Sequence, residues 1–237
     1  MSIATSDQTL AEIVNARPQA ARVLEAFGLD YCCGGQRQLV DACAEQGLDA
    51  EPVVAAISEL DPEPAADWAA FDPRELVDHL EAVHHSYLKT ELPRLDLLTE
   101  KVAGVHGDRH PELHEVRSIF LELRGELEPH LMKEERVLFP MIRELVESTA
   151  PPQFHCGSLQ NPISVMLREH DRAGELLRAL RTASDGYAVP DDGCASYHAL
   201  YSSLAELEAD THLHIHKENN ALFPTVVALE ADRSSHV

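Results

Sequence analysis

The sequence predicts an all-α protein: a four-helix bundle preceded by a small helical N-terminal domain. Three observations predict it. Aromatics make up only 5% of the 237 residues while Ala and Leu abound, which favours helix over sheet. Four long segments repeat apolar residues at three- and four-residue intervals, the period of a helix buried on one face. One motif occurs twice without a gap: residues 130–140 and 214–224 both read H-x-x-x-E-x-x-x-L-F-P. An internal repeat of this kind predicts two similar helical hairpins related by a pseudo-twofold axis.

The N-terminal domain, residues 1–60, opens with a capping box, Thr9-Leu-Ala-Glu12, which starts a helix through Val14. A second helix follows Pro18, a residue suited to a first turn, and stops at Gly28. A third begins after Gly34-Gly35 and a fourth covers Pro52 to Leu60. The segment Asp61-Pro-Glu-Pro-Ala-Ala-Asp67, rich in proline and acid, reads as a linker. The bundle domain, residues 68–237, begins with Asp72 as N-cap and Pro73 in the first turn.

Four helices are expected there: A over about 72–103, B over 111–147, C over 161–183 and D over 192–230. Helix B carries the cleanest stripe: Val116, Phe120, Leu123, Leu127, His130, Glu134, Val137, Met141. Helix D repeats it: Leu200, Leu204, Leu207, Thr211, His214, Glu218, Ala221, Thr225. Pro93 and Pro129 fall inside helices A and B and should kink them or break a local hydrogen bond. The segment 148–160 crosses between the two hairpins.

Composition excludes several functions. A formal charge of -22 repels phosphate backbones and anionic lipid, which argues against nucleic-acid and membrane partners. No run of 18 apolar residues offers a membrane span, and the N-terminus lacks the pattern of a signal peptide. Five cysteines, an odd number at irregular spacing, do not form a secreted disulfide framework. A reducing cytoplasm is expected.

The repeated motif carries the chemistry. Residues four apart lie on one helix face, about 40° apart around the axis, so His130 with Glu134 and His214 with Glu218 can each serve one metal site. Both pairs lie in line with the apolar stripe. Helix C adds His170. Helix A offers His79, His84 and His85. Aligning His85 with His170 matches Ala82 to Leu167, Leu92 to Leu177 and Leu95 to Leu180, whereas aligning His84 places Glu81 and Glu91 on leucines. His85 is therefore preferred, although Leu80 and Leu88 flank His84 at four residues each way. The candidate metal ligands are His85, His130, Glu134, His170, His214 and Glu218. Two buried carboxylates facing each other would repel without a cation. A closed zinc site prefers Cys or His in a tetrahedron, while six N/O donors including two carboxylates favour iron or manganese.

These residues carry a resemblance. The H-x-x-x-E and L-F-P motifs in a bundle resemble a hemerythrin-like domain. The whole chain, from about residue 8 to 228, resembles the RIC (repair of iron centres) di-iron family. The further matching pieces are Asp30-Tyr31-Cys32-Cys33-Gly34-Gly35, Pro162-Ile163-Ser164-Val165-Met166, Glu169-His170-Asp171 and Glu218-Asn219-Asn220. The family's four His and two Glu fall on the six residues above and select His85 over His84. The resemblance implies two non-haem Fe ions, bridged by carboxylate, with an oxo bridge as a further option. It also implies a role in repairing iron-sulfur clusters damaged by oxidative or nitrosative stress, by iron donation or redox. The partners would be damaged iron-sulfur proteins or apo-scaffolds, with NO and O2 as small-molecule ligands; homodimer formation is left open. The alternatives are a nitric-oxide-reducing enzyme and a hemerythrin-like O2/NO sensor or carrier. The longer, Pro- and Cys-containing crossover at 150–160 departs from the family pattern.

Cys32 and Cys33 form a candidate redox pair, with incidental thiols in a turn as the alternative. Glu126 and Glu169 are candidates to support the ligands from behind. His106, His110 and His114 cluster near the A–B turn and are read as solvated loop residues. Cys43, Cys156 and Cys194 show no spacing logic and are assigned no role. His212 and His216 are expected to point away from His214.

Overall fold

A computed structural model of the chain describes residues 5–60, 68, 71–148 and 152–235; the linker expected at 61–67 lies outside them. The described residues are overwhelmingly helical, as predicted, with isolated bridges at Thr9–Gln38 and Phe154–Gly157 in place of strands. The helices are α1 (Leu10–Ala16), α2 (Ala20–Ala26), α3 (Leu39–Glu45), α4 (Ala50–Ser58), α5 (Pro73–Leu80), α6 (Ser86–His106), α7 (Glu112–Lys133), α8 (Phe139–Glu147), α9 (Gln160–Ala183), α10 (Ala195–Lys217) and α11 (Phe223–Ser235). Single π-helical turns join α5 to α6 (Glu81–His85), α7 to α8 (Glu134–Leu138) and α10 to α11 (Glu218–Leu222).

The chain forms two compact units, residues 1–76 with 212–237 and residues 77–211. In the first, the Thr9 hydroxyl accepts from the Glu12 N–H at 3.1 Å, and Glu12 accepts from the Thr9 N–H at 2.8 Å. This capping box satisfies two of the donors that a helix start leaves open. α2 ends at Gly28, whose φ of 70° is a left-handed conformation that glycine adopts without penalty. Asp49 caps α4 through the Glu51 N–H at 3.1 Å. Leu10, Val14, Leu24, Leu39, Val53 and Ile57 are fully buried and form the apolar interior of these helices. Each such side chain contributes roughly 1.5–3 kcal/mol.

In the second unit, α7 packs most extensively on α9 and α6. The facing stripes are Leu88, Leu92 and Leu95 on α6, Val116, Phe120 and Leu123 on α7, and Leu177 and Leu180 on α9. Leu200, Leu204 and Leu207 on α10 are buried likewise. Pro93 and Pro129 lie within α6 and α7, which run through them. Each removes one N–H, and both face solvent, where water can take the carbonyl left open four residues back.

The register of helix B departs from the expected one after Glu134. Val137 was expected on the stripe but is 41% exposed, while Leu138 and Phe139 are buried. The cause is the π turn: the Phe139 N–H reaches back five residues to the Glu134 carbonyl. Phe223 does the same to Glu218. In each case a proline follows, Pro140 or Pro224. A proline cannot donate to the carbonyl four residues back, and its ring crowds that carbonyl. A turn widened by one residue relieves both problems and advances the buried face by one position. Helix D shifts likewise, with Val226 buried and Thr225 only partly so.

Candidate metal centre

Three of the proposed ligand positions border a π turn: His85 ends the first, Glu134 begins the second and Glu218 begins the third. π turns recur at functional sites because they re-aim side chains that a regular helix would turn away. His170 sits in the unbroken helix α9.

Within the unit 77–211, Glu134 is the centre of a buried cluster. Its Oε1 lies 3.2 Å from the His130 Nε2, and its Oε2 lies 3.4 Å from the His85 Nε2. The His130 Nε2 is also 3.1 Å from the His170 Nε2. All four side chains are at most 3% exposed. The adjacent His84 is equally buried but turns its Nδ1 to Asp210 Oδ1 at 2.8 Å. His79 meets the His84 ring edge-on.

The outer nitrogens decide what the inner ones can do. His85 Nδ1 lies 2.9 Å from Glu135 Oε1, and His130 Nδ1 lies 2.9 Å from Glu169 Oε2. A carboxylate is an acceptor, so each Nδ1 carries the proton and each Nε2 presents a lone pair inward. Lys89 holds Glu135 at 2.5 Å, and Lys133 pairs with Glu169. Burial would raise the Glu135 carboxyl, but Lys89 and the His85 N–H outweigh it and hold it below the usual carboxylate range. The His130 N–H, working against burial and joined by Lys133, pulls Glu169 down to about 2. Both carboxylates therefore stay ionised, and the tautomers stay fixed. Phe139, from the L-F-P motif, stacks on the His85 ring at 5.4 Å.

This donor set fits a metal. Lone pairs of His85 and His130 face carboxylate oxygens, and an acceptor opposite an acceptor makes no hydrogen bond. Separations of 3.2 and 3.4 Å exceed the roughly 2.7–2.9 Å of a charge-assisted hydrogen bond. They suit two donors about 2.1 Å from a shared cation at near right angles, which stand about 3 Å apart. Each Glu134 carboxylate oxygen thus faces a different imidazole. Burying a carboxylate this completely costs several kcal/mol, which a bound cation would offset.

In the other unit, His214 and Glu218 repeat the pairing, with Nε2 3.5 Å from Oε1 and both side chains buried. The next two residues do something different. Asn219 and Asn220 donate their side-chain amides to the Cys32 carbonyl at 3.2 and 3.0 Å. Asp30 Oδ1 accepts from the N–H groups of Cys32, Cys33 and Gly34 and draws in the Cys32 thiol at 3.2 Å. A Cβ at Gly35 would fall 2.6 Å from the Tyr31 carbonyl and 2.7 Å from Asn220, so only glycine fits there. The two sulfurs are 3.7 Å apart as free thiols. The hydrogen bond to Cys33 and then burial push the Cys32 thiol well up, which disfavours its thiolate.

His216 does point away from its neighbour's partner: its Nδ1 lies 3.2 Å from the Tyr31 carbonyl and its Nε2 3.0 Å from the Asn15 amide. Burial lowers its pKa to about 4, so the ring is neutral and has one proton. With that proton on Nε2 the ring donates to Asn15 Oδ1, and its Nδ1 accepts from the Asn220 side-chain amide at 3.3 Å.

Of the remaining candidates, Glu169 meets His130 as described, while Glu126 is exposed on α7. Glu135 escaped the sequence reading. Its signal was a second acid directly after Glu134, on the far side of a turn whose widening the 3.6-residue period does not anticipate.

Comparison with known proteins points one way. Residues 74–226 match the Hemerythrin HHE cation binding domain family. Residues 6–61 match ScdA_N, a domain of unknown function. The chain is 36% identical over 229 residues to proteins called iron-sulfur cluster repair protein YtfE. These include those of Escherichia coli O17:K52:H18 and Shigella boydii serotype 4, each match spanning 96% of this chain and 100% of the relative. The protein of that name from E. coli K12 strain DH10B is similar to the same extent.

Proposed function

The chain belongs to the hemerythrin-domain family of iron-sulfur cluster repair proteins, and from that premise we propose that it restores damaged clusters by supplying iron from a di-iron site. The observation that carries the proposal is Glu134, buried with a different imidazole on each carboxylate oxygen. The proposed ligands are His85, His130, Glu134 and His170, with His214 and Glu218 from the second copy of the motif. Support for the last two is the sequence repeat and their own buried pairing.

Iron held there would supply one-electron redox and a releasable ion. The chain's own residues set the conditions. Glu135 and Glu169 keep the Nδ1 protons in place, so the Nε2 lone pairs of His85 and His130 are presented without rearrangement. Lys89 and Lys133 sit on the outer side of those carboxylates and neutralise them. Asn219 and Asn220 fasten the Cys32-Cys33 turn to the helix that carries Glu218. The turn is proposed to act in handing on iron or electrons. Five free cysteines suit a reducing cytoplasm, and no described helix is long and apolar enough to cross a membrane.

The test is to mix reduced, iron-loaded protein with an enzyme whose cluster has been damaged, and to follow iron in both partners. The expected result is recovery of the target with matching loss of iron from this protein. Recovery of the target with full iron retained here, or turnover of nitric oxide by an added electron donor without iron leaving, would overturn the donor mechanism.

A further inference from the structure

We propose that Cys194 is a peroxide-reactive thiol, oxidised to sulfenic acid at a site that uses none of the six proposed metal ligands.

Cys194 directly precedes α10, and its carbonyl accepts the Tyr197 and His198 N–H groups at 2.9 and 3.1 Å. The side chain is exposed, so small electrophiles can reach the sulfur. It sits where the helix start concentrates open N–H groups and the positive end of the dipole. A second element converges on the same atom. His106, the last residue of α6, is only 5% exposed and holds its Nε2 3.1 Å from the Cys194 Sγ. Tyr197 packs edge-on against the His106 ring at 5.5 Å. The His106 Nδ1 is buried with no hydrogen-bond partner among the described residues. A buried N–H without an acceptor is the rarer and costlier arrangement, so the ring N–H belongs on Nε2, facing the sulfur. The imidazole thus donates to the thiolate and favours it over the thiol.

The surrounding charges are already paired. His110 lies 2.8 Å from Asp192 and 3.3 Å from Glu112, and Arg109 lies 3.1 Å from Asp192. These pairings limit the repulsion that Asp192 and Glu112 would exert on a sulfur anion. The Tyr197 N–H, then the His106 ring, and, against some desolvation, the Ser196 N–H bring the Cys194 thiol down to about 7. Cys32 and Cys43 are the opposite case, buried and pushed up.

The reaction balances simply. The thiolate attacks one oxygen of hydrogen peroxide or an organic hydroperoxide. An S–O bond forms, the O–O bond breaks, and the leaving hydroxide or alkoxide takes a proton from solvent. Sulfur is oxidised and the peroxide is reduced to water or alcohol.

Full-length protein is labelled with iodoacetamide across pH 5–10, and each cysteine is quantified by peptide mass spectrometry. Separately, peroxide is added at pH 7 and sulfenic acid is trapped with dimedone. Labelling of Cys194 should be half-maximal near pH 7. At that pH its thiolate fraction should be about 16-fold that of an ordinary thiol of pKa about 8.5. The dimedone adduct should fall mainly on Cys194. His106→Gln should move the labelling midpoint upward and slow labelling at pH 7 several-fold. Cys194→Ser should abolish the adduct and leave iron content unchanged. A midpoint for Cys194 at 8.5 or above in the unsubstituted protein, or an adduct mainly on another cysteine, would overturn the proposal whether or not the His106 variant folds.

Discussion

The two copies of H-x-x-x-E-x-x-x-L-F-P share a backbone and differ in the residues just after the glutamate. Both fold as a helix, a π turn that starts at the Glu, and a second helix with Pro at its second residue, which that turn accommodates. Both bury the His–Glu pair, at 3.2 Å in the first copy and 3.5 Å in the second. In the first copy the following residue, Glu135, accepts a hydrogen bond from the His85 Nδ1–H and so orients that imidazole. In the second copy Asn219 and Asn220 instead take hold of the Cys32 carbonyl. The repeated turn thus buries its His–Glu pair in both copies and uses its outer positions differently, one to hold an imidazole and the other to anchor a thiol-bearing turn.

The comparison breaks if the inner positions are not equivalent. Glu134→Ala and Glu218→Ala should each release at least one of the two proposed irons, to a similar extent, as read by metal analysis and the absorption spectrum. Glu134→Gln should also raise the melting temperature of metal-free protein, because it removes a charge from a fully buried side chain. Full iron content in both alanine variants would refute the bridging role.

The carboxylates that hold the outer nitrogens of His85 and His130 should show a smaller effect. Glu135→Gln and Glu169→Gln leave a weaker acceptor for Nδ1 and remove the charge that makes the imidazole a better donor. Each should weaken iron binding about 10–100-fold in a chelator competition. Glu126→Gln, on the exposed face of α7, is the control and should change affinity by less than about twofold. Equal effects from all three would show that bulk charge, not the contact to Nδ1, sets affinity.

Much of the fold was legible because its helices obey one period over long stretches. Leu88, Leu92 and Leu95, or Val116, Phe120 and Leu123, declare a buried face without help from the rest of the chain. The His and Glu of the repeat declared themselves by lying on that face. What the period could not supply follows from departures from it. The π turn at 134–138 exposed Val137 and buried Leu138. The π turn at 81–85 buried His84 and His85 alike, so spacing alone could not choose between them. Glu135, Asp210 and Cys194 act on partners 50, 126 and 88 residues away. Such pairings depend on how helices assemble, and no local pattern encodes them.

The smallest expected effect concerns the outer positions of the second copy. Asn219→Ala and Asn220→Ala each remove a hydrogen bond to the Cys32 carbonyl and leave Glu218 and its π turn intact. A hydrogen bond of this kind contributes about 1 kcal/mol. In a protein of this size that corresponds to a fall of roughly 2–4 °C in melting temperature per substitution. Gly35 and Asp30 still define the shape of the turn, so the pair of substitutions should loosen it without unfolding it. Iron content should stay the same, while Cys32, now less well buried, should label with iodoacetamide several-fold faster. If iron were lost together with the anchor, the outer asparagines would belong to the metal site after all, and the two copies would differ less than their contacts indicate.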